Sequence, residues 1–153
     1  MKPAIFLRIA SVLTMIHAIL HTIGGVFGKP EPGVAAMVAE AMRANRFPVL
    51  GVTRSYADFY FGMGLGLTIL LTAEALVFWL LASLAKSESA RLRPILAVFV
   101  AGYLALAVNS WFFFFAPPVI VETLIALCLG MAMMTARPAN QESAAAAARL
   151  TSA

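Results

Sequence analysis

The sequence predicts an all-α fold, a four-helix transmembrane bundle, and three observations carry that expectation. Four apolar stretches, residues 9–27, 56–85, 94–115 and 119–136, account for most of the chain. Of its 153 residues 62% are hydrophobic and only 12% charged, whereas a soluble domain carries about 25% charged residues to coat its wet surface. Most charged residues and most prolines fall between or beyond those stretches. A spanning helix needs about 20 mostly apolar residues, because each rises about 1.5 Å through a hydrocarbon core about 30 Å thick. In lipid, every backbone N–H and C=O must find its partner within the segment, so apolar runs of this length become helices. Residues 1–137 therefore read as one four-span domain.

Span one follows Lys2 and Arg8, which resemble the basic start of a signal peptide. Its apolar run is longer than the 7–15 residues of a cleaved leader and carries His17 and His21, so it reads as a retained span. Pro30, Pro32 and Gly33 then break the helix. In the connection that follows, Val34, Met37, Val38, Ala41 and Met42 recur at helical spacing, with Glu40, Arg43 and Arg46 off that face. This is an amphipathic helix, lying on the outer membrane surface or capping the bundle mouth. Pro48 and Gly51 end it. Span two opens with Tyr56, Phe59, Tyr60 and Phe61, and span three closes with Trp111 to Phe115, as expected of interfacial aromatic belts. Lys86 to Arg93 is a short charged turn, and Ala116-Pro117-Pro118 joins spans three and four as a second tight link. Residues 138–153, with five consecutive alanines, read as a disordered cytoplasmic tail.

Orientation follows from the basic residues. If all four helices cross, Lys2, Arg8, Lys86, Arg91, Arg93, Arg137 and Arg149 share one side, against Lys29, Arg43, Arg46 and Arg54 on the other. The positive-inside bias then places both termini in the cytoplasm, with the protein integral to a cell membrane of bacterial inner-membrane type. The net charge of +4 is thus a topology signal. No basic helix or aromatic-interleaved stripe grips phosphates, so nucleic acid is excluded as a partner. The lipid bilayer is the expected partner, with a homo-oligomer or a second membrane protein as further candidates. The single cysteine, Cys128, permits neither an intrachain disulfide nor a cysteine zinc site.

Polar residues inside spans are costly and mark function or interhelical contact. His17 and His21, four apart, share one helix face with Thr14 and Gly24. Counted at about 1.5 Å per residue from the outer ends, His21 lies about 9 Å deep and His17 about 15 Å, with Asp58 about 5 Å, Asn109 about 10 Å and Glu122 about 6 Å. Arg54, at the lip, is spaced to pair with Asp58. The expectation is an outer-half polar cluster of His17, His21, Arg54, Asp58, Asn109 and Glu122, with Glu74 below it as a relay position. Gly62/Gly66 and Ala126/Gly130 supply the small-xxx-small spacing that lets helices approach closely. His17, His21 and Glu122 are the candidate ligands for a divalent metal. Bis-histidine haem within one subunit is excluded, because both histidines lie on one helix face, while a His/Met pair using Met63 or Met131 stays open. No phosphate cradle or nucleophile elbow is present.

The block His17-Ala-Ile-Leu-His21-Thr-Ile-Gly24-Gly25, followed by Arg54-Ser-Tyr-Ala-Asp58-Phe-Tyr-Phe-Gly62, resembles a group of small uncharacterised four-helix bacterial integral membrane proteins. The resemblance covers the four spans and implies the fold without implying an activity. Three functional readings follow. The first is a non-enzymatic membrane component whose polar cluster organises the bundle or binds a small ligand or partner. The second is a membrane-embedded enzyme or redox component built on a His/carboxylate metal or lipid-substrate site. The third is proton-coupled transport by an oligomer. The sequence names no substrate, catalytic residue or cofactor.

Overall fold

The computed structural model describes residues 3–136. The tail expectation over 138–153, and the basic residues Lys2, Arg137 and Arg149, lie outside the described residues. Four helical segments are long and apolar enough to cross a membrane: Pro3–Val26, Tyr56–Leu84, Ser89–Phe113 and Ala116–Thr135. The elements in order are α1 (Pro3–Leu20), which runs on as a π-helical turn (His21–Val26), α2 (Val34–Ala44), β1 (Arg46–Val49), β2 (Val52–Ser55), α3 (Tyr56–Leu84), a 3₁₀ turn (Ser89–Leu92), α4 (Arg93–Phe113) and α5 (Ala116–Thr135). The chain packs as two compact units, one drawn from residues up to Met15 and from Ala73 onward, the other from Ile16–Thr72.

In the first unit all four long helices contribute to one apolar core. Leu7 and Ala10 of α1, Phe78 and Ala82 of α3, Leu96 and Tyr103 of α4, and Ile125 and Leu129 of α5 are members of it. Phe78 meets Phe99 edge to face, with ring centroids 4.9 Å apart. Among the described residues of the whole chain, ten of the eighteen buried hydrophobic ones are alanine, while Leu80, Val98, Trp111 and many other large side chains point outward. Small residues inside and large apolar ones outside suit helices that meet by close contact in lipid, where burying leucine gains little.

Several boundaries differ from expectation, each for a local reason. α1 begins at Pro3, since proline is preorganised for a first helical position. Arg8 is therefore a helical residue, its guanidinium 4.1 Å from the centroid of the Trp79 ring. Pro117 and Pro118 lie inside the first turn of α5, where their missing N–H groups have no helical partner to lose. The α4–α5 link is thus only Phe114 and Phe115.

The second unit holds an element the sequence reading lacked. β1 and β2 pair antiparallel, Arg46 opposite Ser55 and Val49 opposite Val52. Leu50 (φ 44°) and Gly51 (φ 86°) form the two-residue turn, both in the positive-φ region that type I′ hairpins require. The expected amphipathic helix is present as α2, and Gly33 enters it at φ 101°, a conformation that favours glycine. At the end of span one the Phe27 N–H reaches back five residues to the Thr22 carbonyl (3.0 Å). A Cβ on Gly28 would overlap the Gly24 carbonyl oxygen, so glycine is required there.

Candidate functional site

Each polar residue expected at the site has a definite place. Asp58 is exposed and closes a capping box on α3. The Ser55 N–H donates to the Asp58 carboxylate (2.7 Å), and the Asp58 N–H donates to the Ser55 hydroxyl (3.1 Å). This reciprocal pair satisfies two donors at the helix start. The expected Arg54–Asp58 ion pair does not form. Arg54 instead donates to the neighbouring Thr53 carbonyl (3.2 Å), and the ion pairs among the described residues are Arg43–Glu40 and Arg91–Glu88. Asn109 is exposed on α4, away from the face that buries Tyr103, Ala107 and Ser110.

His21 begins the π-helical turn, and its Nε2 lies 3.1 Å from the Gly64 carbonyl of α3. A carbonyl only accepts, so this nitrogen carries a proton and donates. A Cβ on Gly25 would sit 3.1 Å from that Nδ1. Glycine leaves the ring its space. One residue on, the Thr22 and Thr68 hydroxyls meet at 3.0 Å. His17 is half-buried, and its Nδ1 has no hydrogen-bond partner. Among the described residues, no group of three or more His, Cys, Asp or Glu is placed to hold a metal ion.

Within the first unit the structure assembles a different polar group. Tyr103, near the middle of α4 and 2% exposed, donates its hydroxyl proton to the Glu74 carboxylate of α3 at 2.6 Å. The same hydroxyl lies 3.4 Å from that of the fully buried Thr14 on α1. Thr14 also donates to the Ala10 carbonyl (2.9 Å). One turn away, the Ser11 hydroxyl donates to the Ala75 carbonyl at 2.6 Å, tying α1 to α3. Glu122 of α5 is 5% exposed. Ser110 and Tyr103 of α4 lie near its carboxyl group. Its Oε2 is buried without a partner. Buried polar atoms are nearly always paired, so an orphan asks for an explanation.

Each hydroxyl has one proton to give. Tyr103 commits its proton to Glu74 and Thr14 commits its own to Ala10, leaving lone pairs to face each other across 3.4 Å. Rotation of the Thr14 hydroxyl redirects its proton to the Tyr103 oxygen, so the group has two hydrogen-bonded arrangements. Sequence reasoning named Glu74 and Glu122 but missed Tyr103 as the partner of Glu74 and Ser110 as a neighbour of Glu122. The available signal was position: Tyr103 is the one tyrosine of three that lies in mid-span, away from the interfacial aromatics. No protein-family model, curated protein or solved structure matches this chain.

Proposed function

We propose that this chain is a non-enzymatic integral membrane protein that holds a small hydrogen-bond-donating ligand at Glu122, on a scaffold set by Thr14, Tyr103 and Glu74. The observation that carries this reading is Glu122, a residue 5% exposed with one buried carboxyl oxygen unpartnered. A buried acceptor left open costs about 1–3 kcal/mol, and a bound donor removes that cost. Intramembrane ionisable groups are functional suspects by default. Thr14, Tyr103 and Glu74 each have a partner within the chain, which suits a fixed support.

The side of the membrane follows from charge. Seven basic residues against four favour both termini in the cytoplasm, and the resemblance of the His17–Gly25 and Arg54–Gly62 blocks favours a bacterial inner membrane. The test is native mass spectrometry of protein released from its own lipids, wild type beside Glu122→Gln. A small-molecule adduct present on wild type and lost from the variant is expected. Bare wild type, or an adduct that Glu122→Gln retains, defeats the proposal.

One observation favours a second reading. The two alternative positions of the Thr14 proton, next to the Tyr103–Glu74 bond, are the elements of a short proton relay. In proteoliposomes with an internal pH dye, that reading requires a potential-driven proton flux that Tyr103→Phe abolishes. No flux above empty vesicles eliminates it.

A further inference from the structure

The connector between the first two spans carries an apolar face and cations that the chain itself does not use. α2 has no buried residue. Its apolar stripe is open, with Val34 77%, Met37 71% and Val38 53% exposed. At the hairpin tip Leu50 is fully exposed and sits at φ 44°, a conformation that glycine or asparagine adopts with less strain. A strained, fully exposed leucine suggests that the side chain has a use outside the chain.

The charges around it point to what covers it. Lys29, Arg46 and Arg54 are exposed, and none forms an ion pair among the described residues. Arg43 is neutralised by Glu40 at 3.1 Å. The Phe47 ring packs on Tyr56 and Phe59 in the first turn of α3, with centroids 4.8 and 5.6 Å away. The hairpin is thus fastened to the start of a membrane-spanning helix. At the other end the connector follows Phe27, whose ring meets Phe61 at 5.8 Å. Both ends of the connector therefore join the aromatic belt of a span, which places it within reach of lipid headgroups.

We propose that α2 and the hairpin form an interfacial anchor that binds anionic phospholipid, Arg46 and Arg54 meeting the phosphates while Leu50 and the Val34/Met37/Val38 stripe enter the acyl boundary. Apolar burial combined with attraction to anionic headgroups is how amphipathic segments hold to membrane surfaces. Each cation near an anionic surface strengthens that attraction. Arginine also pairs with phosphate in bidentate fashion.

The test uses the full chain with Leu50→Cys carrying an environment-sensitive dye, in a Cys128→Ala background, reconstituted into vesicles of phosphatidylcholine alone or mixed with phosphatidylglycerol. Quenching by bromine-labelled acyl chains is expected to grow with the phosphatidylglycerol fraction, and Arg46→Gln/Arg54→Gln is expected to remove that growth. Native mass spectrometry of the unlabelled protein, free of any bias from the dye, is expected to retain phosphatidylglycerol over phosphatidylcholine, a preference the double variant loses. Far-UV circular dichroism checks that each variant is folded. A dye quenched by aqueous iodide in both vesicle types overturns the proposal. Lipid quenching indifferent to phosphatidylglycerol and to the arginines overturns the anionic recognition. A dye reached by neither quencher assigns the surface to a second copy or another protein, and equally overturns the proposal.

Discussion

Replacing Tyr103 by phenylalanine isolates the buried network from the packing around it. The ring stays in contact with Phe78, whose centroid lies 6.1 Å away, so no side-chain-sized cavity opens. What is lost is the 2.6 Å hydrogen bond to Glu74 and the 3.4 Å contact with Thr14. Thr14 keeps its bond to the Ala10 carbonyl, so only one strong interaction disappears. A hydrogen bond to a charged group contributes about 1.5–3 kcal/mol in soluble proteins, whereas interhelical bonds in membranes average about 0.6 and reach about 1.7 kcal/mol. Half-burial of Glu74 lets its freed carboxylate find other partners, so a loss of about 1–1.5 kcal/mol is expected, close to tenfold in the unfolding constant. Tyr103→Ala, which also empties the ring site, is expected to cost about 3–5 kcal/mol. The assay is unfolding in mixed micelles of rising SDS content, followed by far-UV circular dichroism, with Glu74→Gln completing a double-mutant cycle. A Tyr103→Phe variant as stable as wild type, with no coupling to Glu74→Gln, refutes the reasoning.

Other perturbations address separate elements of the fold. Ser55→Ala removes one half of the α3 capping box and is expected to lower stability by about 1 kcal/mol in the same assay. Asp58→Ala removes the other half, the bond accepted from the Ser55 N–H, and is expected to act in the same direction. Arg54→Ala is expected to leave the unfolding midpoint unchanged, since Arg54 bonds only its neighbour's carbonyl. Gly28→Ala forces the added methyl against the Gly24 carbonyl, and is expected to destabilise by more than about 1 kcal/mol or to redirect the chain after span one. Leu50→Gly relieves the positive-φ strain at the hairpin tip and is expected to stabilise the detergent-solubilised protein by about 1 kcal/mol, read as a rise in its thermal midpoint.

Helices long and apolar enough to span a membrane were legible because that needs only length and apolarity, and residues 56–85, 94–115 and 119–136 match the observed helices closely. Span one was read six residues short because Arg8 was taken as a flank. Its long stem and the Trp79 ring carry the charge within the helix instead. The hairpin was missed because Pro48 was read as a terminator and because Leu50-Gly51, with a leucine at positive φ, is not among the usual two-residue turn pairs.

The candidate site was only half legible. Depth along each helix is written in the sequence, but rotation about the helix axis is not. Asn109 and Ser110 have nearly the same depth, yet Ser110 is buried and Asn109 exposed. Asp58 was read as a site residue for its charge. Its place three residues after Ser55 marks a cap just as directly.

Reactivity of Glu122 toward a hydrophobic carbodiimide, followed by peptide mass mapping, reads whether a ligand occupies its open oxygen. The comparison is between native membranes and protein stripped of endogenous ligand by prolonged washing in detergent. Occupancy of the open Glu122 oxygen predicts protection in native membranes and modification after washing, with Glu74, tied to Tyr103, reacting alike in both. Equal modification of Glu122 before and after washing contradicts the claim and leaves Glu122 as part of the packing between helices.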